Sequence, residues 1–332
     1  MSNTIDDLLV DLAAARLGGR VVAANDDFFA EKENLVADRD PLWDPDRYTD
    51  RGKWMDGWET RRRRQPGYDW AIVRLGVAGI VHRVLVDTSH FTGNYPESCS
   101  LDIATLPGDP ADGAPGATEW SEAIPRTVLQ GDSRVVVPLP HPTVGTHVRL
   151  NIHPDGGVAR LRVFGDPVPP DGVLDGSRCD LAALANGGRA VDCSNRHYSS
   201  PNRMLVTGSA LGMWDGWETR RRRGPGNDWA TIRLAGRGEI ETVEIDTNHF
   251  KGNAPGSAAV FGADVPGVET PGAESWMPVL AGTELSPDTP HRFDDLASTG
   301  PFTHLRLDIH PDGGVARFRA WGRSTTPWTS PR

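Results

Sequence analysis

The sequence contains the same long motifs twice, and this internal repeat constrains the fold more than any other feature. Residues 56–75 recur as residues 215–234 with 16 of 20 positions identical. Residues 147–165 recur as residues 304–322 with 14 of 19 identical. The repeat unit is the size of a whole domain, since the units of solenoid proteins have only roughly 20–50 residues. We therefore predict two homologous domains that arose by internal duplication.

The boundary between the two copies is predicted from composition. Residues 165–172 are rich in Pro, Gly and Asp and follow the end of the first copy, as is typical of a segment between domains. We predict a first domain over residues 1–168 and a second over residues 175–332. The first domain is expected to begin with a short helical lead-in, because Leu8 to Leu17 form a short amphipathic stretch.

The repeated blocks have the pattern of β-strands. Apolar Val148, Leu150 and Ile152 alternate with polar neighbours, which indicates a strand with one buried face. Residues 304–310 repeat the alternation, and further β-rich runs cover residues 70–75, 82–88, 134–139 and 158–164. The 37 Gly and 27 Pro residues favour many strands joined by turns. The predicted fold class is all-β, with an antiparallel β-sandwich (jelly roll) in each half.

Charge and composition exclude several classes of partner. The formal net charge is −10, so no bulk positive field attracts nucleic acid or an anionic membrane. No apolar run approaches the roughly 20 residues of a membrane helix, and the acidic N-terminus does not resemble a signal peptide. Three widely spaced Cys residues fit a reducing compartment. We expect a cytoplasmic protein with a small-molecule substrate and no nucleic-acid or membrane partner, and a homo-oligomer is kept open.

Four consecutive arginines are the most unusual feature of both copies. Arg61–Arg64 follow Asp56-Gly57-Trp58-Glu59-Thr60, and the whole block returns as residues 215–223. In an extended segment Arg62 and Arg64 would point to one side, and Glu59, Arg61 and Arg63 to the other. Guanidinium groups bind carboxylates through paired hydrogen bonds, so an anionic substrate is a natural partner. The alternative for any single Arg is a residue on a solvated strand that pairs with nearby Asp and Glu.

A repeated histidine and a repeated asparagine lie in a loop after a predicted strand. His90 and Asn94 recur as His249 and Asn253. An imidazole in such a loop can transfer protons near pH 7, and the alternative is a structural histidine that binds loop backbone. The spacing of His, Asp and Glu matches no known metal-ligand motif. We therefore predict no metal ligands, leave the cofactor unknown, and keep a divalent metal assembled across loops open.

The sequence resembles the allantoicase family at these same residues. The resemblance is carried by the residue blocks 52–62, 69–71 and 87–94, and in part by Asn25-Asp26-Asp27-Phe28-Phe29-Ala30. It extends over about residues 8–323, nearly the whole chain. It implies two jelly-roll domains of the galactose-binding-like kind and a hydrolase that acts on the C–N bonds of a linear amidine. The implied reaction is the hydrolysis of allantoate to (S)-ureidoglycolate and urea in purine and allantoin degradation.

The residues offer the groups that this reaction requires. Allantoate carries one carboxylate and two ureido groups on a single carbon, so its cleavage needs an anion clamp and proton transfer. We assign proton transfer to Glu59, His90, Glu218 and His249. Substrate binding is assigned to the remaining repeated residues, Arg62, Arg64 and Asn94 in the first copy and Arg221, Arg223 and Asn253 in the second.

Two alternative classes remain at this point. Jelly rolls often bind ligands without catalysis, so a non-catalytic ligand-binding module is the competing interpretation. A purely structural interaction protein is the third. The copies share their acidic, basic and histidine positions, which favours chemistry over both alternatives.

Overall fold

The computed structural model describes residues 8–109 and 120–326, which fold into two units of antiparallel β-structure. Val10–Asp166 form the first unit, and the second unit runs from Pro167 onward and includes Leu8 and Leu9. The helical segments named in these residues are 3-10 turns of three or five residues. This confirms the predicted all-β fold class with two tandem antiparallel β-sandwich domains.

The first unit is built from two long strands and several shorter ones. Its 3-10 turns are Ala15–Leu17 and Lys32–Val36. Its strands are β1 (Val10–Asp11), β2 (Arg20–Ala24), β3 (Tyr48–Thr49), β4 (Gly52–Lys53), β5 (Trp58–Glu59), β6 (Asp69–Asp87), β7 (Ser98–Ala104), β8 (Ser121–Val128), β9 (Arg134–His153), β10 (Gly157–Val158) and β11 (Arg160–Pro167).

The second unit repeats this plan. Its 3-10 turns are Leu184–Asn186, Pro201–Leu205, Met213–Asp215 and Ala273–Ser275. Its strands are β12 (Arg178–Asp180), β13 (Arg189–Cys193), β14 (Trp217–Glu218), β15 (Asp228–Asp246), β16 (Ser257–Ala263), β17 (Met277–Glu284), β18 (Pro290–Phe293), β19 (Phe302–His310), β20 (Gly314–Val315) and β21 (Arg317–Ser324).

The main sheets of the two units have matching strand orders. The order is β1-β11-β6-β9-β7-β8 in the first unit, with β2 also paired to β6. In the second unit it is β12-β21-β15-β19-β16-β17, with β13 and β18 also paired to β15. Each unit has an additional two-stranded sheet, β5 with β10 and β14 with β20. These small sheets carry the repeated Trp-Glu dipeptide.

Several strands are longer than the sequence indicates. Residues 70–75 and 82–88 were expected as two strands, but most of them belong to the single 19-residue strand β6. Its pairing with β9 shifts register between Arg74 and Gly79 and again between Val81 and Arg83. Such irregularities bend a strand without ending it, so one strand can pair along its whole length with the bent partner β9.

The core of each unit lies on the apolar faces of these strands. Val148, Leu150 and Ile152 are fully buried, and so are their second-unit counterparts Leu305, Leu307 and Ile309. This confirms the predicted buried face of the repeated strand.

The lead-in differs from the predicted helix. Within the described residues it contains the short strand β1 and the 3-10 turn Ala15–Leu17, while residues 1–7 lie outside the described part. Val10 pairs with Gly165 and Asp11 with Phe164. The backbone at this point bonds to β11, so its groups are not available to a longer helix.

Among residues 8–109 and 120–326, no helix has the length and apolar composition needed to cross a bilayer.

Candidate active site

Trp58 and Glu59 form strand β5, which holds the repeated motif against the rest of the first unit. The Trp58 side chain is fully buried, and its Nε1 donates a 2.7 Å hydrogen bond to the carbonyl oxygen of Asp26. Glu59 lies opposite Gly157 of β10, and its backbone N–H donates a 3.1 Å hydrogen bond to the carbonyl oxygen of Ala30. Backbone contacts on both sides therefore place Glu59, and its carboxyl group is not needed to hold the strand.

The glycine opposite Glu59 is required by close packing. A Cβ atom at Gly157 would overlap the ring of Phe91, which is fully buried. In the second unit a Cβ atom at Gly314 would overlap the buried ring of Phe250 in the same way. An aromatic ring therefore packs directly against the glycine of each small sheet, and a larger residue there would push the sheet away from the ring.

Glu59 lies in the wall of a cavity of about 800 Å³ that Arg62, Asn94 and Glu97 also line. The Nδ2 atom of Asn94 donates a 2.7 Å hydrogen bond to Oε1 of Glu59. Burial raises the pKa of Glu59, and the hydrogen bond from Asn94 offsets part of this rise. A raised pKa increases the protonated fraction of a carboxyl group near neutral pH, as a general acid requires.

Two of the four arginines in the first copy are neutralised by carboxylates. The Nε atom of Arg61 donates a 3.1 Å hydrogen bond to Asp26. The Nη1 atom of Arg63 donates a 2.6 Å hydrogen bond to Asp69, which is buried. These two residues serve the structure, in agreement with the alternative interpretation of single arginines as partners of nearby acids.

The other two arginines are exposed, and only one of them reaches the cavity. Within the described part of the chain, no carboxylate lies within 4.0 Å of the Arg62 or Arg64 guanidinium. Arg62 lines the Glu59 cavity, whereas Arg64 is not among its lining residues. The regular strand also ends at Glu59, so the alternation expected for an extended segment does not continue through the arginines.

His90 does not line the Glu59 cavity. Its backbone is in the left-handed region with φ of 71°, and its N–H donates a 2.8 Å hydrogen bond to Asp132. Its Nε2 lies 3.4 Å from the carbonyl oxygen of Pro41, and its ring stacks on Trp43 with centroids 5.7 Å apart. These contacts fit the structural alternative for this histidine, and its role in proton transfer stays a prediction.

The second unit repeats many of these contacts. Asn253 donates a 2.7 Å hydrogen bond to Oε1 of Glu218, and Arg222 pairs with the buried Asp228. His249 has the same φ of 71°, and its Nε2 lies 3.0 Å from the carbonyl oxygen of Ala210.

The arginines of the second unit line a cavity of their own, of about 760 Å³. Arg221 and Arg223 are among its lining residues, together with Asn195 and Tyr198. Glu218 and Asn253 are not among them. Glu59, Asn94 and Arg62 thus line one cavity in the first unit, whereas the lining of this cavity in the second unit contains the arginines but not Glu218.

Buried acids that bind arginines were not identified from the sequence. Asp56 accepts a 2.9 Å hydrogen bond from Nη2 of the buried Arg160, and Asp215 accepts one of 2.6 Å from Arg317. Although burial raises the pKa of Asp56, hydrogen bonds from Arg39, the Leu42 backbone and Arg160 hold it below its usual range. All four residues of these two pairs lie in repeated blocks, so repetition of both an acid and a base was the available signal.

Within residues 8–109 and 120–326, no group of three or more His, Cys, Asp or Glu side chains is placed to hold an ion.

Comparisons with known proteins agree with the repeated architecture. The allantoicase repeat model matches residues 10–168 and again residues 179–325. A probable allantoicase of Nocardia farcinica is 49% identical over 316 residues, which cover 95% of this chain and 94% of that protein. Probable allantoicase 1 of Burkholderia mallei is 48% identical over 324 residues, with 94% of each chain covered.

A solved structure gives the same result in three dimensions. The crystal structure of allantoicase from Saccharomyces cerevisiae superposes with a TM-score of 0.80 at 34% sequence identity. The match covers 94% of this chain and 92% of that one. Two matched repeats and near-complete coverage at this identity establish that the chain belongs to the allantoicase family.

Proposed function

We propose that the protein is an allantoicase that hydrolyses allantoate to (S)-ureidoglycolate and urea in purine and allantoin degradation. Membership of the family supports this activity. The observation in this chain that carries the proposal is the half-buried Glu59, whose raised pKa suits proton transfer within a cavity that an unpaired arginine also lines.

The cavity residues match the groups of the substrate. The Arg62 guanidinium binds the carboxylate through paired hydrogen bonds, a geometry that this side chain favours. Asn94 uses one amide hydrogen on Glu59, and its second hydrogen and its carbonyl oxygen are left to bind a ureido group. These contacts orient the central carbon of allantoate toward the Glu59 carboxyl group.

Glu59 supplies and recovers one proton in the proposed reaction. In its protonated form it donates the proton to the ureido nitrogen as the C–N bond breaks and urea leaves. The resulting carboxylate then accepts a proton from water, whose oxygen forms the new bond to the central carbon. One water is consumed, Glu59 returns to its protonated form, and the products are urea and ureidoglycolate.

We place the main turnover in the first unit. There the acid, the amide and an unpaired guanidinium line a single cavity, whereas Glu218 is not among the residues lining the arginine cavity of the second unit. Catalytic roles for His90, Glu218 and His249 stay as predictions from the sequence. Substrate binding by Arg64, Arg221, Arg223 and Asn253 stays a prediction as well.

A urea-release assay tests the proposal. Purified protein should release urea from allantoate and leave allantoin intact, because the ring-opened carboxylate is the group that Arg62 binds. The assay is run with and without added divalent metal. Allantoate that binds under both conditions without release of urea would instead assign the chain to the non-catalytic ligand-binding module.

The cytoplasm is the proposed location. Cys99, Cys179 and Cys193 are free thiols, as is common where the compartment is reducing. Cell fractionation would test the location, and light scattering on the purified chain would test the homo-oligomer that the sequence leaves open.

A further inference from the structure

The arginine cavity of the second unit contains unbalanced positive charge. Of Arg220–Arg223, only Arg222 has a carboxylate partner, the buried Asp228. Around the other three, the described residues place no carboxylate within 4.0 Å, and all three are exposed. Arg220, Arg221 and Arg223 line the same cavity, so their like charges repel one another, and a bound anion would relieve this repulsion.

The equivalent arginines of the first unit differ because an aspartate partly neutralises them. Trp58 Nε1 donates to the Asp26 carbonyl oxygen, and Trp217 Nε1 donates to the Asn195 carbonyl oxygen. Asp26 and Asn195 therefore occupy the same position in the two units. The Asp26 carboxylate accepts hydrogen bonds from both the backbone N–H and Nε of Arg61, at 2.7 and 3.1 Å.

Asn195 leaves the matching arginine without this partner. Its amide oxygen accepts a 2.9 Å hydrogen bond from the backbone N–H of His197 and a 3.4 Å hydrogen bond from the backbone N–H of Arg220, but it carries no charge to neutralise the Arg220 guanidinium. The first unit thus has the negative charge of Asp26 beside its arginines, whereas the second unit has the neutral Asn195 at the same position. Tyr198, which is 60% exposed, adds a phenolic hydroxyl to the lining where the first copy has Phe29.

We infer that this cavity, lined by Arg220–Arg223, Asn195 and Tyr198, binds a small anion with two or more acceptor oxygens, a carboxylate or a phosphate. Its volume of about 760 Å³ lies in the range of small-molecule sites. Guanidinium forks match paired oxygens of both anion types. The chain as a whole has a net charge of −10, so an anion is attracted by the local field of this cavity and not by the overall charge. The inference does not depend on the proposed catalysis.

Calorimetric titration of the full chain at low ionic strength tests the site. Inorganic phosphate and oxalate are titrated separately, so that the two sources of the anion are distinguished. At least one of them should bind to a site whose affinity falls as salt is added, since exposed charges are screened.

Two variants locate the binding in this cavity. Asn195→Asp restores the carboxylate of the first unit while its oxygens still accept the Arg220 backbone hydrogen bond, and Arg220→Gln removes a guanidinium. Each should weaken binding by about tenfold or more, the factor expected when a charge-assisted hydrogen bond is lost. The matched control Arg61→Gln changes the equivalent arginine of the first unit and should leave the affinity unchanged.

The outcomes separate the site from the catalysis. Absence of binding by both anions overturns the inference, and so does equal binding by N195D and the parent chain. An equal loss in R61Q and R220Q would place the anion outside this cavity and overturns it as well. None of these measurements involves turnover, so a failure of urea release leaves the result on anion binding intact.

Discussion

Asn94 donates a 2.7 Å hydrogen bond to one carboxyl oxygen of Glu59. This bond and the burial of the carboxyl group shift the pKa of Glu59 in opposite directions. Burial disfavours the charged carboxylate, whereas a donated hydrogen bond favours it. Burial has the larger effect, so the pKa of Glu59 is raised. The amide thus limits the shift while it also fixes the direction of the carboxyl group.

Replacement of Glu59 by Gln should abolish most of the turnover. The amide keeps the shape of the side chain and still accepts the Asn94 hydrogen bond, but it cannot donate a proton to departing urea. We expect kcat for urea release to fall by about 10²–10⁴-fold, the range for general acid–base residues. Glu218→Gln is the matched control in the second unit, and its kcat should remain within about twofold of the parent value. If both variants lose activity equally, the assignment of turnover to the first unit is wrong.

Replacement of Asn94 by Ala should change the pH dependence of kcat. The hydrogen bond from Asn94 lowers the pKa of Glu59, so its loss should move the limb of the pH–rate profile that reports Glu59 to higher pH. A purely structural role for Asn94 would lower kcat at all pH values without moving the limb. The same substitution at Asn253 provides the control and should leave the profile in place.

Glu59→Gln should also stabilise the protein at neutral pH. The folded-state pKa of Glu59 is raised above its usual value of 4.5, so the unfolded state ionises first, and a penalty on the folded state grows as the pH rises above 4.5 and is complete above the folded-state pKa. Gln carries no charge and avoids this penalty. The melting temperature of the variant should therefore exceed that of the parent at pH 7, and the difference should shrink as the pH falls toward 4. A variant less stable than the parent at pH 7 would show that the Glu59 carboxylate stabilises the fold.

Asp56→Asn should strongly destabilise the first unit. The Asp56 and Arg160 side chains are each 1% exposed, and removal of one charge leaves the other buried without compensation. We expect a loss of about 3–5 kcal/mol in the free energy of unfolding, measured by chemical denaturation. Asp264→Asn breaks the partly exposed pair with Arg237 and should change the free energy of unfolding far less, because exposed ion pairs contribute little to stability. If both variants lost a similar amount of unfolding free energy, the buried Asp56–Arg160 pair would be no more important for stability than the partly exposed pair.

Periodicity predicted the fold well because the strongest signals come from buried faces. Strict alternation over residues 147–153 identified a strand whose apolar side chains are all fully buried. The lengths of the strands could not be predicted as well from the sequence, because the bends in β6 depend on its pairing with the distant strand β9. The short strand β1 was missed for the same reason, because its partner β11 is more than 150 residues away.

The site was only partly predictable. Repetition identified Glu59 and Asn94, which do lie in contact. It did not indicate that Asp69 neutralises Arg63, or that His90 points toward the Pro41 carbonyl oxygen. Repetition marks Arg63 and Asp69 as well, but it does not say which acid pairs with which arginine. Pro41 lies in a separate loop, 49 residues from His90, so sequence spacing carries no information about this contact. Asp26 gave no repeat signal at all, because the second copy has Asn195 in its place.

The backbone support of Glu59 by Ala30 and Gly157 has a consequence for how the two copies evolve. Because the glutamate side chain does not hold its strand in place, its replacement during evolution leaves the fold intact. If the first copy carries the turnover, as proposed, the side chains that line the second cavity are free to change toward a different ligand. Natural variation among relatives should therefore concentrate on side chains that line the second cavity, while the glycines beneath both small sheets remain fixed.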